Sequence, residues 1–150
     1  MKIRIPIEQF KELLIKGQCK VFNNAYQREF YRYLMKYGEP HNWEVDDDIL
    51  SLALKEYNER KEENRRLSET ARLNNIGIAA EKSGDIDKAI EAYEKNIAIG
   101  YPADHAYKRL RIIYRRRKDF VNMARVIRRL AEVYGHSEEW TESEIKRYSH

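Results

Sequence analysis

The apolar positions change period along the chain, and each change predicts an element. Ile3, Ile5 and Ile7 alternate with Lys2, Arg4 and Pro6, the two-residue period of a short extended arm that either covers a helix or hangs free. From Glu8 onward Phe10, Leu13 and Leu14 take helical spacing as far as Gly17. A second stripe, Phe22, Tyr26, Phe30, Tyr33, Leu34 and Tyr37, steps by three or four and stops at Gly38, with Pro40 just beyond. Its aromatic residues read as packing rather than a ligand platform, because any amphipathic helix buries one such face.

Residues 39–48, EPHNWEVDDD, read as a loop, with Asp46, Asp47 and Asp48 at the start of the next helix, where negative charge suits the free amides and the dipole. Three adjacent carboxylates point in different directions on a helix, so no metal site is expected there. ILSLALKEY then supplies an apolar face. NERKEENRRLSE has no apolar residue except Leu67; with Glu56/Arg60 and Glu62/Arg66 four apart it continues as an exposed helix or a loose helical linker. It is the best boundary between an N-terminal helical region, 1–66, and a second region, 67–150, of what reads as one continuous helical domain.

Shifted by 34 residues, the second half falls onto itself: Leu73 on Tyr107, Ile76 on Leu110, Ala80 on Tyr114, Asp85 on Asp119, Ile86 on Phe120, Ala89 on Met123, Tyr93 on Ile127 and Asn96 on Leu130. Each unit is predicted to be two antiparallel helices, 71–83 with 87–99 and 105–117 with 121–133. Gly77 and Ala89 are small where helices would cross, Gly84 can take the left-handed conformation that ends a helix, and Asp85 can cap the next. In the second unit Arg111, Met123 and Lys118 replace the two small residues and the turn glycine. Over residues 70–133 the chain resembles the tetratricopeptide repeat (TPR) family, with Leu73, Ile76, Gly77, Ala80, Gly84, Asp85, Ala89, Ile90, Tyr93, Ile97 and Pro102 in matching places and Pro102 one residue late. The expected fold is therefore all-α: antiparallel helical hairpins in a short solenoid. Two repeats seldom suffice alone, so the N-terminal helices or another chain are expected to extend the stack. Downstream, Thr141 and Glu144 fit a capping box, and Trp140, Ile145 and Tyr148 fit one closing helix.

Composition narrows the class. Charged residues make up 36% of the chain, with 6 glycines and 3 prolines, a helix-rich balance rather than a disordered one. Cys19 is the only cysteine, which excludes an internal disulfide, and no cysteine–histidine cluster suggests zinc. No apolar run approaches a membrane span and the start lacks the apolar core of a signal peptide, so a cytoplasmic protein with no membrane partner is expected. There is no nucleophile with a nearby base and no ligand cluster, which argues against an enzyme and gives no reason to expect a cofactor.

The net charge of +4 is uneven: residues 104–131 carry 10 basic and 2 acidic side chains, while 132–150 carry 2 and 5. Seven lysines and arginines fall between Lys108 and Lys118. In the TPR family, first helices line a concave groove that holds ligands. The resemblance thus implies that Ala71, Asn74, Ile78, Glu81 and Lys82 face it from one unit, and His105, Lys108, Ile112, Arg115 and Arg116 from the next. It also implies, from one subgroup that clamps a terminal carboxylate, roles for Asn75, His105 and Arg109. A cationic groove favours an acidic or extended peptide of a partner protein, since each guanidinium can grip a carboxylate through two hydrogen bonds. Three alternatives stay open: a solvated helix face, nucleic acid bound by helix 107–118, and self-association through an uncapped hairpin.

Overall fold

The computed structural model describes residues 1–22 and 24–150; the chain is 76% helical, all-α apart from one two-stranded ribbon. Contacts divide it into two units, Met1–Asn64 and Arg65–His150, with the dividing point inside its longest helix.

In the first unit the N-terminal arm is a strand, β1 (Lys2–Pro6), paired antiparallel with β2 (Asn42–Asp46), so that Ile3 faces Val45 and Ile5 faces Trp43. The loop expected over 39–48 is thus corrected: five of its residues are a strand. Trp43 and Val45 do alternate with Asn42 and Glu44, but so short an alternation becomes a strand only when a distant partner supplies the ladder. Helix α1 (Ile7–Lys11) runs on as a π-helical turn over Glu12–Lys16 and stops at Gly17. Phe10 stacks on Trp43 with ring centroids 5.4 Å apart, and Phe30 meets the same indole edge-on at 5.2 Å. Helix α2 (Asn24–Tyr37) ends where Gly38, at φ 77°, donates its N–H to the Leu34 carbonyl. Packing accounts for Phe22 and Phe30, both buried, but not for the whole stripe: Tyr33 and Tyr37 are 37% and 64% exposed because the last turns of α2 outrun the core. Asn23, next to the predicted start of that stripe, lies outside the described residues.

Helix α3 (Asp47–Lys82) resolves the choice left open for residues 58–69 in favour of continuous helix. Asp47 and Asp48 occupy its first turn, whereas Asp46 belongs to β2. Leu50 and Ala53 are buried near one end and Leu73 and Ala80 near the other. Between them the helix is mostly exposed and is supported by local pairs such as Arg60–Glu56 at 3.2 Å.

The second unit continues with α4 (Ile86–Ile99), α5 (Asp104–Arg116), α6 (Phe120–Tyr134) and α7 (Glu138–Tyr148). The turns α3–α4 and α5–α6 have one geometry. Asp85 and Asp119 have φ, ψ of −89°, 79° and −89°, 75°, and each carboxylate accepts the backbone N–H three residues on, from Lys88 at 3.1 Å and Asn122 at 3.2 Å. The residue before each cap is left-handed, Gly84 at φ 81° and Lys118 at φ 58°. Tyr93, Tyr107, Leu110, Met123, Val126 and Ile127 form the centre of the core. Gly77 is small for a concrete reason: a Cβ there would lie 2.3 Å from the Tyr93 ring. Helix α7 is capped by Ser137, whose hydroxyl accepts from the Trp140 N–H at 3.1 Å, and not by the expected Thr141–Glu144 box. Thr141 is buried inside the helix with its hydroxyl donated to the Ser137 carbonyl, and Glu144 turns to α5.

Candidate functional site

Helix α5 buries Ala106, Tyr107, Leu110, Ile113 and Tyr114, which leaves its cations on the remaining faces. Their fates differ. Arg109, Arg111 and Arg117 are paired with carboxylates, Glu81, Glu144 and Asp87 respectively. Arg115 donates to the His150 main-chain oxygen at 3.0 Å. The side chains of Lys108, Arg116 and Lys118 have no hydrogen-bond or ion-pair partner among the described residues. Four of the seven cations from Lys108 to Lys118 are therefore engaged within the chain, three of them by a side-chain carboxylate.

The first cluster ties α5 to the end of α3. Arg109 grips Glu81 in a bidentate pair, with Nε 3.0 Å from one oxygen and Nη2 2.5 Å from the other. Tyr93 donates its hydroxyl to the same carboxylate at 2.6 Å, and the His105 ring nitrogen Nε2 lies 3.4 Å from that hydroxyl. The Arg109 guanidinium holds the Glu81 carboxyl below the usual carboxylate range against the opposing effect of burial; burial, then Glu81, pushes the Tyr93 phenol far up. Two residues assigned to the groove, His105 and Arg109, are thus parts of an interhelical brace, and Asn75, their companion in the carboxylate clamp, is exposed and outside it. Asn74 also has an internal role: it accepts from the Asn96 side chain at 2.8 Å, while Asn96 donates to the Thr70 carbonyl at 2.9 Å. Ile78 is half-buried and Lys82 exposed.

The second cluster is open. Lys108, Arg111, Ile112, Arg115 and Tyr148 line a pocket of about 260 Å³. Lys108, Ile112 and Arg115 lie one helical turn apart on α5, which is why one face presents all three. Tyr148 comes from α7, whose Glu144 holds Arg111 at 3.8 Å and Arg147 at 3.7 Å. The Cζ atoms of Arg111, Arg115 and Arg147 stand 5.2, 5.8 and 5.6 Å from the centre of the Tyr148 ring. Arg116, expected beside Arg115, is exposed and outside this lining. Residue pattern missed Arg111 and Tyr148 as site residues. Arg111 stood where the repeat has a small residue, and that departure was itself the signal; Tyr148 looked like the apolar side of a closing helix.

The chemistry on offer is capture of an anion. Arginine and lysine hold their protons at neutral pH, so the pocket supplies fixed positive charge and several N–H donors beside one aromatic face and one aliphatic wall. Cys19 is no competing centre: it is buried, its thiol donates to the Ala53 carbonyl at 3.4 Å, and burial pushes the thiol upward. Among the described residues no group of three or more His, Cys, Asp or Glu is placed to hold a metal ion, and no helix is long and apolar enough to cross a membrane. Compared with protein-family models, with curated proteins and with solved structures, the chain matches none.

Proposed function

We propose that the second unit is a TPR-like protein-interaction module, an adaptor whose basic face binds an acidic or extended segment of a partner protein. The observation that carries this is the pocket of Lys108, Arg111, Ile112, Arg115 and Tyr148, where exposed cations converge on a concave surface instead of spreading along a solvated helix. An acidic side chain can take two parallel hydrogen bonds from Arg115, and the flanking backbone can lie along Ile112 and Tyr148. The engaged residues Asn74, His105 and Arg109 support the face from behind rather than touching the partner.

Nucleic acid is disfavoured by the pairing of Arg109 with Glu81 and of Arg117 with Asp87, which removes part of the field that would attract a phosphate backbone. The test is a fluorescence-anisotropy titration with glutamate-rich peptides and with a mixed-sequence oligonucleotide at rising salt. Micromolar peptide binding is expected, with a loss of at least tenfold in the Lys108→Glu, Arg115→Glu double variant and little change in Lys88→Glu, an exposed cation of α4. Peptide binding indifferent to the double reversal would overturn the assignment of this face. Oligonucleotide binding stronger than peptide binding would replace the adaptor with a nucleic-acid-binding protein.

A further inference from the structure

The charge around Tyr148 is out of balance. Arg111, Arg115 and Arg147 all stand within 6 Å of the ring centre, Lys108 joins Arg111 and Arg115 in lining the pocket, and among the described residues Glu144 is the one side-chain carboxylate paired within this group. That carboxylate is divided between Arg111 and Arg147 at distances of 3.8 and 3.7 Å, longer than a good charge-assisted hydrogen bond. Arg115 spends one N–H on the main-chain oxygen of His150, at 3.0 Å. Like charges held this close in a half-enclosed pocket repel one another, and an anion entering it is stabilised by every one of them. A carboxylate brings one charge and two oxygens. A phosphate monoester brings a charge of about −1.5 to −2 and three acceptor oxygens, which suits a site with several donors better.

Resting on the proposed adaptor role, we infer that this pocket is a phosphate-monoester site, reading a phosphorylated residue within the acidic segment of a partner protein. Arg115 and Lys108 supply direct contacts to the phosphate oxygens. Arg111 is held in place by Glu144 and contributes charge. Ile112 and Tyr148 pack against the methylene or ring that carries the phosphate. Arg115 releases the His150 main-chain oxygen when the dianion arrives, so residues 149–150, beyond α7, shift on binding.

The experiment uses the full chain and two degenerate acidic peptide pools, alike except that one carries a central phosphoserine and the other an unmodified serine. Tighter binding of the phosphorylated pool by at least tenfold is expected, reduced to parity by Arg115→Gln or Lys108→Gln and unchanged by Lys88→Gln. Because the second ionisation of the phosphate lies near pH 6, the preference is expected to fall when the pH is lowered from 7.5 to about 5. Inorganic phosphate as competitor is expected to displace the phosphorylated pool, and NMR of the Tyr148 ring is expected to show the shift of a nearby occupant. Equal affinity for the two pools overturns the phosphate assignment and leaves the acidic-peptide role standing; failure of both pools overturns the two together. Preference for an oligonucleotide over the phosphorylated pool also overturns it, since a diester with a single charge then suffices.

Discussion

The two helical hairpins of the second unit share a backbone and differ in what their faces do. Asn74, Ile78 and Glu81 of the first hairpin are equivalent, at a shift of 34 residues, to Lys108, Ile112 and Arg115 of the second. In the first, Asn74 is bonded to Asn96 and Glu81 to Arg109 and Tyr93, so the polar groups are satisfied within the fold. In the second, the Lys108 side chain has no hydrogen-bond or ion-pair partner among the described residues and Arg115 bonds only the His150 main-chain oxygen beside the Tyr148 ring, and both open on a pocket. The same contrast runs through the hairpin crossing. Gly77 makes room for the Tyr93 ring, whereas the equivalent pair is Arg111 and Ile127: bulk has moved to the first helix, and its charged end has become part of the pocket. Repeats diverge most freely at positions whose side chains leave the core, while turns and caps, which satisfy backbone groups, keep their geometry.

The sharpest way to break the comparison is at the crossing. Gly77→Ala would put a methyl into the Tyr93 ring, and we expect a loss of about 1–3 kcal/mol by chemical denaturation. Arg111→Ala, at the equivalent position, removes one partner of a mostly buried pair with Glu144, both side chains being 17% exposed, and is expected to cost about 1–3 kcal/mol, partly recovered when Glu144→Gln is added. No recovery in the double variant would show that the second crossing is held by packing alone, like the first. Next in size are the turns. Gly84→Ala forces a methyl-bearing residue to φ 81°, and Lys118→Gly relieves one already at φ 58°, so opposite changes of about 1 kcal/mol are expected in the thermal midpoints.

The smallest effect concerns pH. The Glu81 carboxyl is held low by Arg109, so the stability it contributes is fully present above the ordinary glutamate value of about 4.3 and is lost as pH falls through its depressed folded value. Acid titration of stability should therefore show a decline in that window, shallower in Glu81→Gln. Arg115 occupies the equivalent position in the second hairpin and pairs with no side-chain carboxylate, so Arg115→Gln should leave the Glu81-dependent decline unaltered.

Much of the fold was legible because its signals are local. The stripe closed by Gly38, the hairpin turns at Gly84–Asp85 and Lys118–Asp119, and the inward positions Leu110, Ile113 and Tyr114 all follow from spacing and from the conformations that single residues allow. The site was legible only in part. Lys108, Ile112 and Arg115 do share one pocket, but His105 and Arg109 are braced to the first hairpin, and Arg111 and Tyr148 enter from a position read as degenerate and a helix read as a cap. Distances between side chains remote in sequence leave no periodic trace.

By itself, then, the order of residues determined a helical chain, a repeat across 71–133 and a concentration of positive charge on the segment that forms α5, the third helix from the end. Tertiary structure decided that residues 42–46 pair as a strand, which of the cations meet a carboxylate, and where those left over converge. The physical reason is one of range: helix formation and capping depend on neighbours a few residues away, whereas neutralising a charge or closing a ladder depends on which distant group the fold brings within hydrogen-bonding reach.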